Sequence, residues 1–264
     1  MIRGYLSIFS AKFRTLLQYR AAALAGCGTQ LFWGVIRMMI FEGFYRSSSQ
    51  IQPMSREDTI TYIWLGQALL LLLPWGVNSD VRSAVHTGSV AYEMLRPQDV
   101  YTAWYLRDIA QRTAPVFLRC LPIFVIAGLF FNLKSPPTFA SGVSWAAVTL
   151  TSLFLSCAFS NLVSVVMVYT LSADGIVRLM PAFVYTLSGM LIPIPLCPAW
   201  LQPILNFLPF RGMMDAPFRV YTGHIAPSQI GWVLLHQLVW TLALIVIGRI
   251  LLARSLKRMV IQGG

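Results

Sequence analysis

Six long apolar runs separated by polar connections cover most of the 264-residue chain. A helix needs about 20 apolar residues to cross a hydrocarbon core of about 30 Å, and lipid-facing backbone must hydrogen-bond within its own segment. The pattern therefore predicts an all-α integral membrane protein with six transmembrane helices. The predicted spans are Ala22–Tyr45, Ile60–Asn78, Pro115–Leu133, Val143–Tyr169, Ile176–Cys197 and Ile230–Leu252.

The first twenty residues have a different pattern, with apolar and basic positions at helical spacing. Leu6, Phe9 and Phe13 fall on one face, whereas Arg3 and Arg14 occupy the other. An apolar stripe beside basic residues is typical of a helix that lies in the plane of the membrane interface. Residues 1–20 are predicted to form such an amphipathic interface helix, and the alternative is a simple topology anchor for the first span.

Between the second and third spans, residues 79–113 form the longest predicted connection. Short helical turns are expected around Val81 and Val90, and Pro97 should end the helix. Asp108 and Arg112 are four residues apart, which predicts a pair on one exposed helical face. A charged segment of this kind is either a docking element for a partner or a solvated loop.

The connection at residues 191–223 is apolar but contains too many prolines for a spanning helix, six of them within 25 residues. This composition predicts re-entrant outer half-helices between spans five and six, with their irregular backbone protected by neighbouring protein. The alternative is a lid at the outer interface, anchored by Trp200 and Tyr221.

Charge distribution gives the predicted orientation. Fourteen of the twenty lysines and arginines lie in the N-terminal segment, the second and fourth connections and the C-terminal tail. Positive flanks mark the cytoplasmic side, so both termini are predicted to be cytoplasmic in a multi-pass protein with one membrane domain over residues 1–264. The net charge of +11 is then explained by membrane flanks that attract lipid head groups, without nucleic acid as a partner. A composition of 57% hydrophobic and 11% charged residues agrees with this class.

Polar residues within the spans are candidate functional groups. Arg37 and Glu42 are interpreted as anchors near the outer head groups rather than as substrate contacts. The fourth span has a serine every fourth residue, which favours close helix packing over a polar lining of a substrate path. Gln67, His236 and Gln237 are expected to face the interior of the bundle. The serines that recur every fourth residue in the fourth span are Ser152, Ser156, Ser160 and Ser164.

Together, these segments resemble the ABC-2 permease family, the membrane subunits of type-2 ABC exporters. The resemblance covers essentially the whole chain and rests on the order and placement of several motifs. These are the inner amphipathic helix, six spans, a loop with Gly88 through Leu95-Arg96-Pro97, and the outer run Ser188-Gly189, Pro198-Ala199-Trp200-Leu201, Leu208-Pro209-Phe210, Pro217 and Gly223. The loop is similar to that of the subgroup of about 260 residues.

The resemblance implies a bacterial inner-membrane permease that exports an amphipathic substrate, such as a lipid, glycolipid, peptide or drug-like metabolite. Two cytoplasmic ATPase subunits would bind ATP and Mg, and a second permease, identical or homologous, would complete the complex. A coupling helix would run from about Asp80 to Arg96, and its implied ATPase contacts are Arg82, His86, Tyr92, Glu93 and Arg96. The implied outer gate contains Pro193, Pro195, Pro198, Trp200 and Pro209.

Other function classes are less consistent with the sequence. None of the three lysines follows a glycine, so a Gly-x-x-x-x-Gly-Lys phosphate loop is lacking and the chain is expected not to be an ATPase itself. An ion-coupled secondary transporter would usually show mid-membrane carboxylates and repeated halves. An intramembrane enzyme would need a catalytic motif that the three distant histidines do not provide. A scaffold without transport activity is the remaining alternative.

Overall fold

The computed structural model describes residues 2–94, 98–170 and 174–258, and every regular element in these ranges is helical. Three single 3-10 turns, at Leu70–Leu72, Ile194–Leu196 and Pro227–Gln229, connect the α-helices. The α-helices are α1 (Ile2–Leu17), α2 (Arg20–Ser47), α3 (Arg56–Ala68), α4 (Ser79–His86), α5 (Val90–Met94), α6 (Val100–Phe130), α7 (Phe139–Thr170), α8 (Asp174–Leu187), α9 (Gln202–Phe207), α10 (Pro209–Met213), α11 (Asp215–Tyr221) and α12 (Ile230–Arg258).

Within the described residues, four helices are long and apolar enough to cross a membrane: α2, α6, α7 and α12. Of these, α7 is the central one, because 72% of its most apolar window is buried compared with 28% or less in the other three. It packs along α12 and against α6, α10 and α11. The all-helical membrane class is therefore confirmed, whereas the count of six spans stays a prediction.

The predicted second span is interrupted. Helix α3 begins at the N-cap Ser55, whose hydroxyl accepts a hydrogen bond from the Asp58 amide at 3.1 Å, and ends at Ala68. Its 13 residues extend about 20 Å, too short for the hydrocarbon core. Pro74 disfavours the α conformation at Leu73, which adopts extended dihedral angles, so the chain turns instead of continuing as a helix. After its exposed first turn, α3 is nevertheless enclosed by the rest of the protein, with every residue from Thr61 to Ala68 buried.

Helix α6 begins earlier than the sequence predicted. Asp99 caps it by accepting a hydrogen bond from the Thr102 amide at 3.0 Å, and the helix then continues through Pro115 and Pro122. Residues 100–113 are therefore part of a long helix, not of the connection at 79–113. The predicted exposed pair is wrong for the same reason: Asp108 and Arg112 are 3% and 6% exposed and lie inside the bundle.

Small side chains allow α7 to pack closely, as predicted. All four serines at positions 152, 156, 160 and 164 are buried. The Ser152 hydroxyl donates to the Met213 carbonyl, and Ser160 donates to the Gly76 carbonyl at 3.0 Å. Gln237 of α12 is also fully buried and donates to the Val148 carbonyl at 3.1 Å. The packing interpretation of the serine face is thus confirmed.

Polar contacts at one end of the bundle connect α2, α3 and two loops. Glu42 pairs with Arg56 at 2.7 Å, and Asp58 contacts Lys134 at 3.1 Å and His224 at 3.2 Å. This end is opposite to the one at which α1 packs.

All four cysteines are free; Cys27 and Cys157 are buried, and Cys120 and Cys197 are half-buried.

Candidate functional site

A groove runs along one face of α2, opposite α8. It consists of two adjoining cavities of about 620 and 600 Å³, and both are lined by Trp33 and Tyr185. Along α2 it extends from Thr29 to Phe44, which corresponds to about 22 Å of helix. Its walls are largely apolar and include Ile36, Ile40, Phe41, Leu71, Leu191 and Ile192.

Three deeply buried polar side chains line this groove: Gln30, Gln67 and Arg37, which are 3%, 2% and 8% exposed. Both amide atoms of Gln30 lack a hydrogen-bond partner within the described part of the chain, as do the Gln67 carbonyl oxygen and Arg37 Nη1. Buried polar groups are usually paired because their desolvation is costly. The groove therefore contains unused hydrogen-bonding capacity from its Thr29 end, at Gln30, to its middle, at Arg37.

Arg37 differs from its sequence-based interpretation. It was expected near the outer head groups, but its guanidinium is buried between helices, where Nη2 donates to the Met190 carbonyl. It also lies 6.0 Å from the centre of the Tyr185 ring. The carbonyl of Met190 is available because α8 ends at Leu187 and Gly189 adopts a left-handed φ of +82°. Glu42, in contrast, does pair at the bundle end.

A second buried polar cluster surrounds Asp215, the first residue of α11, which is fully enclosed. Its Oδ1 accepts hydrogen bonds from the Tyr62 hydroxyl at 3.0 Å and from the Ile194 amide at 3.3 Å. Its Oδ2 lies 3.5 Å from Arg219 and 3.9 Å from Arg211. We call Asp215, Tyr62, Arg211 and Arg219 the Asp215 cluster, and it joins α3 to the proline-rich segment.

The proline-rich segment 191–223 forms the short helices α9, α10 and α11 instead of the two predicted half-helices. Gln202 Nε2 donates to the carbonyls of Pro195 and Cys197 at 3.2 and 2.9 Å, which folds α9 back on the preceding turn. Pro193 and Pro209 are buried, Pro195 is half-buried, and Pro198 and Trp200 are exposed, Trp200 by 72%. The five predicted gate residues are thus divided between a buried turn, its exposed continuation and the start of α10.

Most of the groove and the Asp215 cluster were not assigned as sites from the sequence. Gln30 and Arg37 did carry a usable signal, since two polar residues seven apart in an apolar run lie on one helical face. Tyr62 and Asp215 are 153 residues apart, and no local pattern connects them.

The other end of the bundle carries what we call the basal platform: α1, residues 79–94 and 98–99, and Arg249 of α12. Lys12 pairs with Asp80 at 2.6 Å. The Asp99 amide donates to the Tyr5 hydroxyl at 2.9 Å, and the Asp99 carboxylate pairs with Arg249 at 3.0 Å. The amphipathic helix, the predicted coupling segment and the end of the last helix therefore lie together.

The predicted single coupling helix is instead two short helices. The break between α4 and α5 falls at Gly88, whose φ of +71° is readily accessible only to glycine. Tyr92 is 73% exposed, and Arg82 is half-buried. Arg96 lies outside the described residues, as does the side chain of His86.

Glu93 faces into the protein. Its carboxylate accepts hydrogen bonds from Trp104 Nε1 at 2.7 Å and from Arg107 at 2.9 Å, so it fixes α5 to α6. Glu93→Leu should destabilise the protein by about 1–3 kcal/mol, because it leaves two partly buried donors unpaired. Thermal unfolding of the purified protein measures this loss. Tyr92→Ala is the matched control and should unfold like the wild type; equal midpoints for both variants would contradict the assignment.

An apolar groove along a membrane-spanning helix, with a basal platform at one end of the bundle, is the arrangement expected of a membrane permease. The model of the family described as ABC-2 family transporter protein matches residues 31–263, so the chain belongs to the ABC-2 transporter family. Neither a curated protein nor a solved structure shows significant similarity to the chain. Family membership makes it an ABC transporter permease and confirms the resemblance seen in the sequence.

Proposed function

We propose that this chain is the membrane-spanning subunit of an ATP-driven exporter and moves an amphipathic substrate along the groove between α2 and α8. The observation that carries the proposal is the basal platform, where the segment 79–94 is held beside α1 at one end of the bundle. Family membership supports the same function. The substrate would be a lipid, glycolipid, peptide or drug-like metabolite.

In this proposal two cytoplasmic ATPase subunits bind ATP and Mg, and the chain itself hydrolyses nothing. A second permease, identical or homologous, completes the complex. Tyr92 and Arg82 offer contacts on the platform, and Glu93 transmits motion inward because it is bonded to α6. The basic residues at this end favour the cytoplasmic side of a bacterial inner membrane, with both termini inside.

The proposal retains six crossings and a re-entrant outer segment. Helix α3 with the chain to Asn78 would form the second crossing, and α8 with the turn after it would form the fifth. Broken helices are tolerated at membrane depth where protein encloses them, and the Asp215 cluster provides such an enclosure. The segment 191–223 would then close the exit of the groove.

An ion-coupled secondary transporter is the second candidate, favoured by one observation. Asp108 and Arg112 are buried and line a cavity of about 280 Å³ next to Trp75 and Gly76. Ion-coupled carriers place ionisable groups at such interior positions. Transport that survives inactivation of the partner ATPase but stops with a proton or sodium ionophore would favour this candidate.

The test of the proposal is a pull-down of the tagged chain from its native membranes in mild detergent, with the co-purifying proteins identified by mass spectrometry. We expect a soluble protein with a Gly-x-x-x-x-Gly-Lys phosphate loop at about one copy per permease. If no such ATPase is recovered in several mild detergents, the exporter function is wrong.

Tyr92→Ala sharpens the same experiment. Removal of an exposed aromatic side chain from a docking surface typically costs about 2 kcal/mol of binding, or about 30-fold in affinity. We expect ATPase recovery to fall in this variant while its unfolding temperature is unchanged. Trp200→Ala, which removes an equally exposed aromatic residue from the 191–223 segment, should leave recovery intact.

A further inference from the structure

We propose that the groove between α2 and α8 binds an amphiphile with one anionic head group, and that Arg37 binds the anion. This inference rests on the proposed function, because it takes the groove to be the substrate site, and it adds the charge of the substrate. Arg37, Gln30 and Gln67 carry the argument, together with the apolar walls around them.

The first step is the charge of Arg37. A guanidinium stays protonated at all relevant pH values, and burial of a charge is expensive unless a partner compensates it. Among the residues that the structure describes, no carboxylate lies within salt-bridge distance of Arg37; its Nη2 donates to the carbonyls of Met190 and, at 3.4 Å, of Leu191. Nη1 remains unpaired while Arg37 lines the groove. A bound anion would supply the missing charge.

The second step is the pair of glutamines. Gln30 and Gln67 line the same part of the groove, and three of their four amide atoms have no hydrogen-bond partner within the described ranges. Uncharged amides accept and donate hydrogen bonds, so they suit the ester and hydroxyl oxygens beside a phosphate or carboxylate. Gln30 lies seven residues before Arg37, on the same face of α2 and about 10 Å away along the helix axis.

The third step is the shape of the apolar walls. Trp33 and Tyr185 border both cavities, and each cavity has the size of a typical small-molecule site. Ile40, Leu191 and Ile192 are 63%, 47% and 45% exposed, so one side of the groove is open to an acyl chain from the bilayer. The polar groups lie between the Thr29 end and the middle of the groove, and the apolar surface continues beyond Arg37 to Phe44. This distribution matches a molecule with a compact charged head and an apolar tail.

The test is equilibrium binding of tritiated 1-oleoyl lysophosphatidic acid to the purified full chain in phosphatidylcholine nanodiscs. Monooleoylglycerol is the matched probe, since it has the same acyl chain without the phosphate. We expect the phosphate-bearing probe to bind about 30-fold more tightly. Arg37→Gln should reduce its affinity to that of the neutral probe, whereas Arg46→Gln, which removes an exposed cation from the same helix, should change nothing.

Ala182→Trp separates blocked binding from a folding defect. Ala182 is exposed on the groove wall, so a tryptophan there should fill the groove and abolish binding of both probes without removing any charge. Equal binding of the two probes, or unchanged binding in Arg37→Gln, would overturn the proposal. Equal loss in Arg46→Gln would show a surface charge effect and overturn it too. If a second copy of the chain covers the groove, neither probe binds and Ala182→Trp changes the oligomeric state, which also contradicts the proposal.

This assay contains no ATPase, so its outcome is independent of the exporter function. Selective binding of the anionic probe without a co-purifying ATPase would support the site and reject ATP-driven export. A recovered ATPase with no selective binding would do the reverse.

Discussion

Asp215→Ala should lower the midpoint of thermal unfolding by about 6 °C or more. Asp215 is fully buried and accepts hydrogen bonds from Tyr62 and the Ile194 amide, with two arginines within 3.9 Å of its other oxygen. Removal of one partner of a buried ion pair leaves uncompensated charge and costs about 3–5 kcal/mol. In a chain of this size each kcal/mol corresponds to about 2–4 °C. Differential scanning fluorimetry of the purified protein measures the shift.

Glu57→Ala provides the control for Asp215→Ala. Glu57 also pairs with a cation, Lys134 at 2.8 Å, but its side chain is 67% exposed. Exposed ion pairs contribute about 1 kcal/mol or less, so this variant should unfold close to the wild type. A similar small shift for both variants would show that the Asp215 cluster does not hold the proline-rich segment to α3.

Ser152→Leu is expected to have the second largest effect. Ser152 is 0% exposed and lies where α7 meets α10, and its hydroxyl donates to the Met213 carbonyl. Leucine would overfill this contact and leave a buried carbonyl unpaired, which together cost about 2 kcal/mol or more. The purified variant should unfold about 4 °C or more below the wild type.

Ala146→Leu introduces the same side chain on an exposed face of α7. This control should have an unchanged unfolding temperature, because a lipid-facing position accepts leucine readily. If Ser152→Leu behaved like this control, the serine face would not be a packing surface, and the polar-lining alternative would gain support.

The sequence predicted correctly those features that depend on a single helix, such as its position in the chain and the face on which it packs. Runs of apolar residues located α2, α6, α7 and α12, because length and hydropathy suffice for a spanning helix. The serine spacing in α7 predicted close packing for the same local reason. The ends were less accurate: α6 begins fifteen residues before the predicted start at Pro115, since a proline within a membrane helix is tolerated when neighbours satisfy the backbone.

Contacts between distant segments could not be predicted in this way. Arg37 was placed at the head groups because nothing in the sequence shows that the break after Leu187 presents a carbonyl to it. Asp108 was predicted on an exposed face because residues 79–113 were interpreted as a connection between spans. In the structure, α6 already begins at Val100, after the Asp99 cap, and carries Asp108 into the bundle. The groove itself requires α2 and α8, which are more than a hundred residues apart, to line the same cavities.

The predicted coupling segment, residues 79–94, shows the same difference between local and long-range features. Its position between α3 and α6 followed from charge and from the family resemblance, and the structure places it beside α1. The inward direction of Glu93 did not follow, since Trp104 and Arg107 become its partners only after α5 folds back on α6.

Site-specific photo-crosslinking in native membranes tests the central claim most directly. A photoreactive phenylalanine analogue at Tyr92, which is 73% exposed on the basal platform, should crosslink to a soluble protein that carries an ATPase phosphate loop. The same analogue at Trp200, which is 72% exposed in the 191–223 segment, should give no such product. A crosslinked ATPase at position 92 alone is the predicted result. Its absence there, or equal crosslinking at both positions, would contradict ATP-driven coupling through the basal platform.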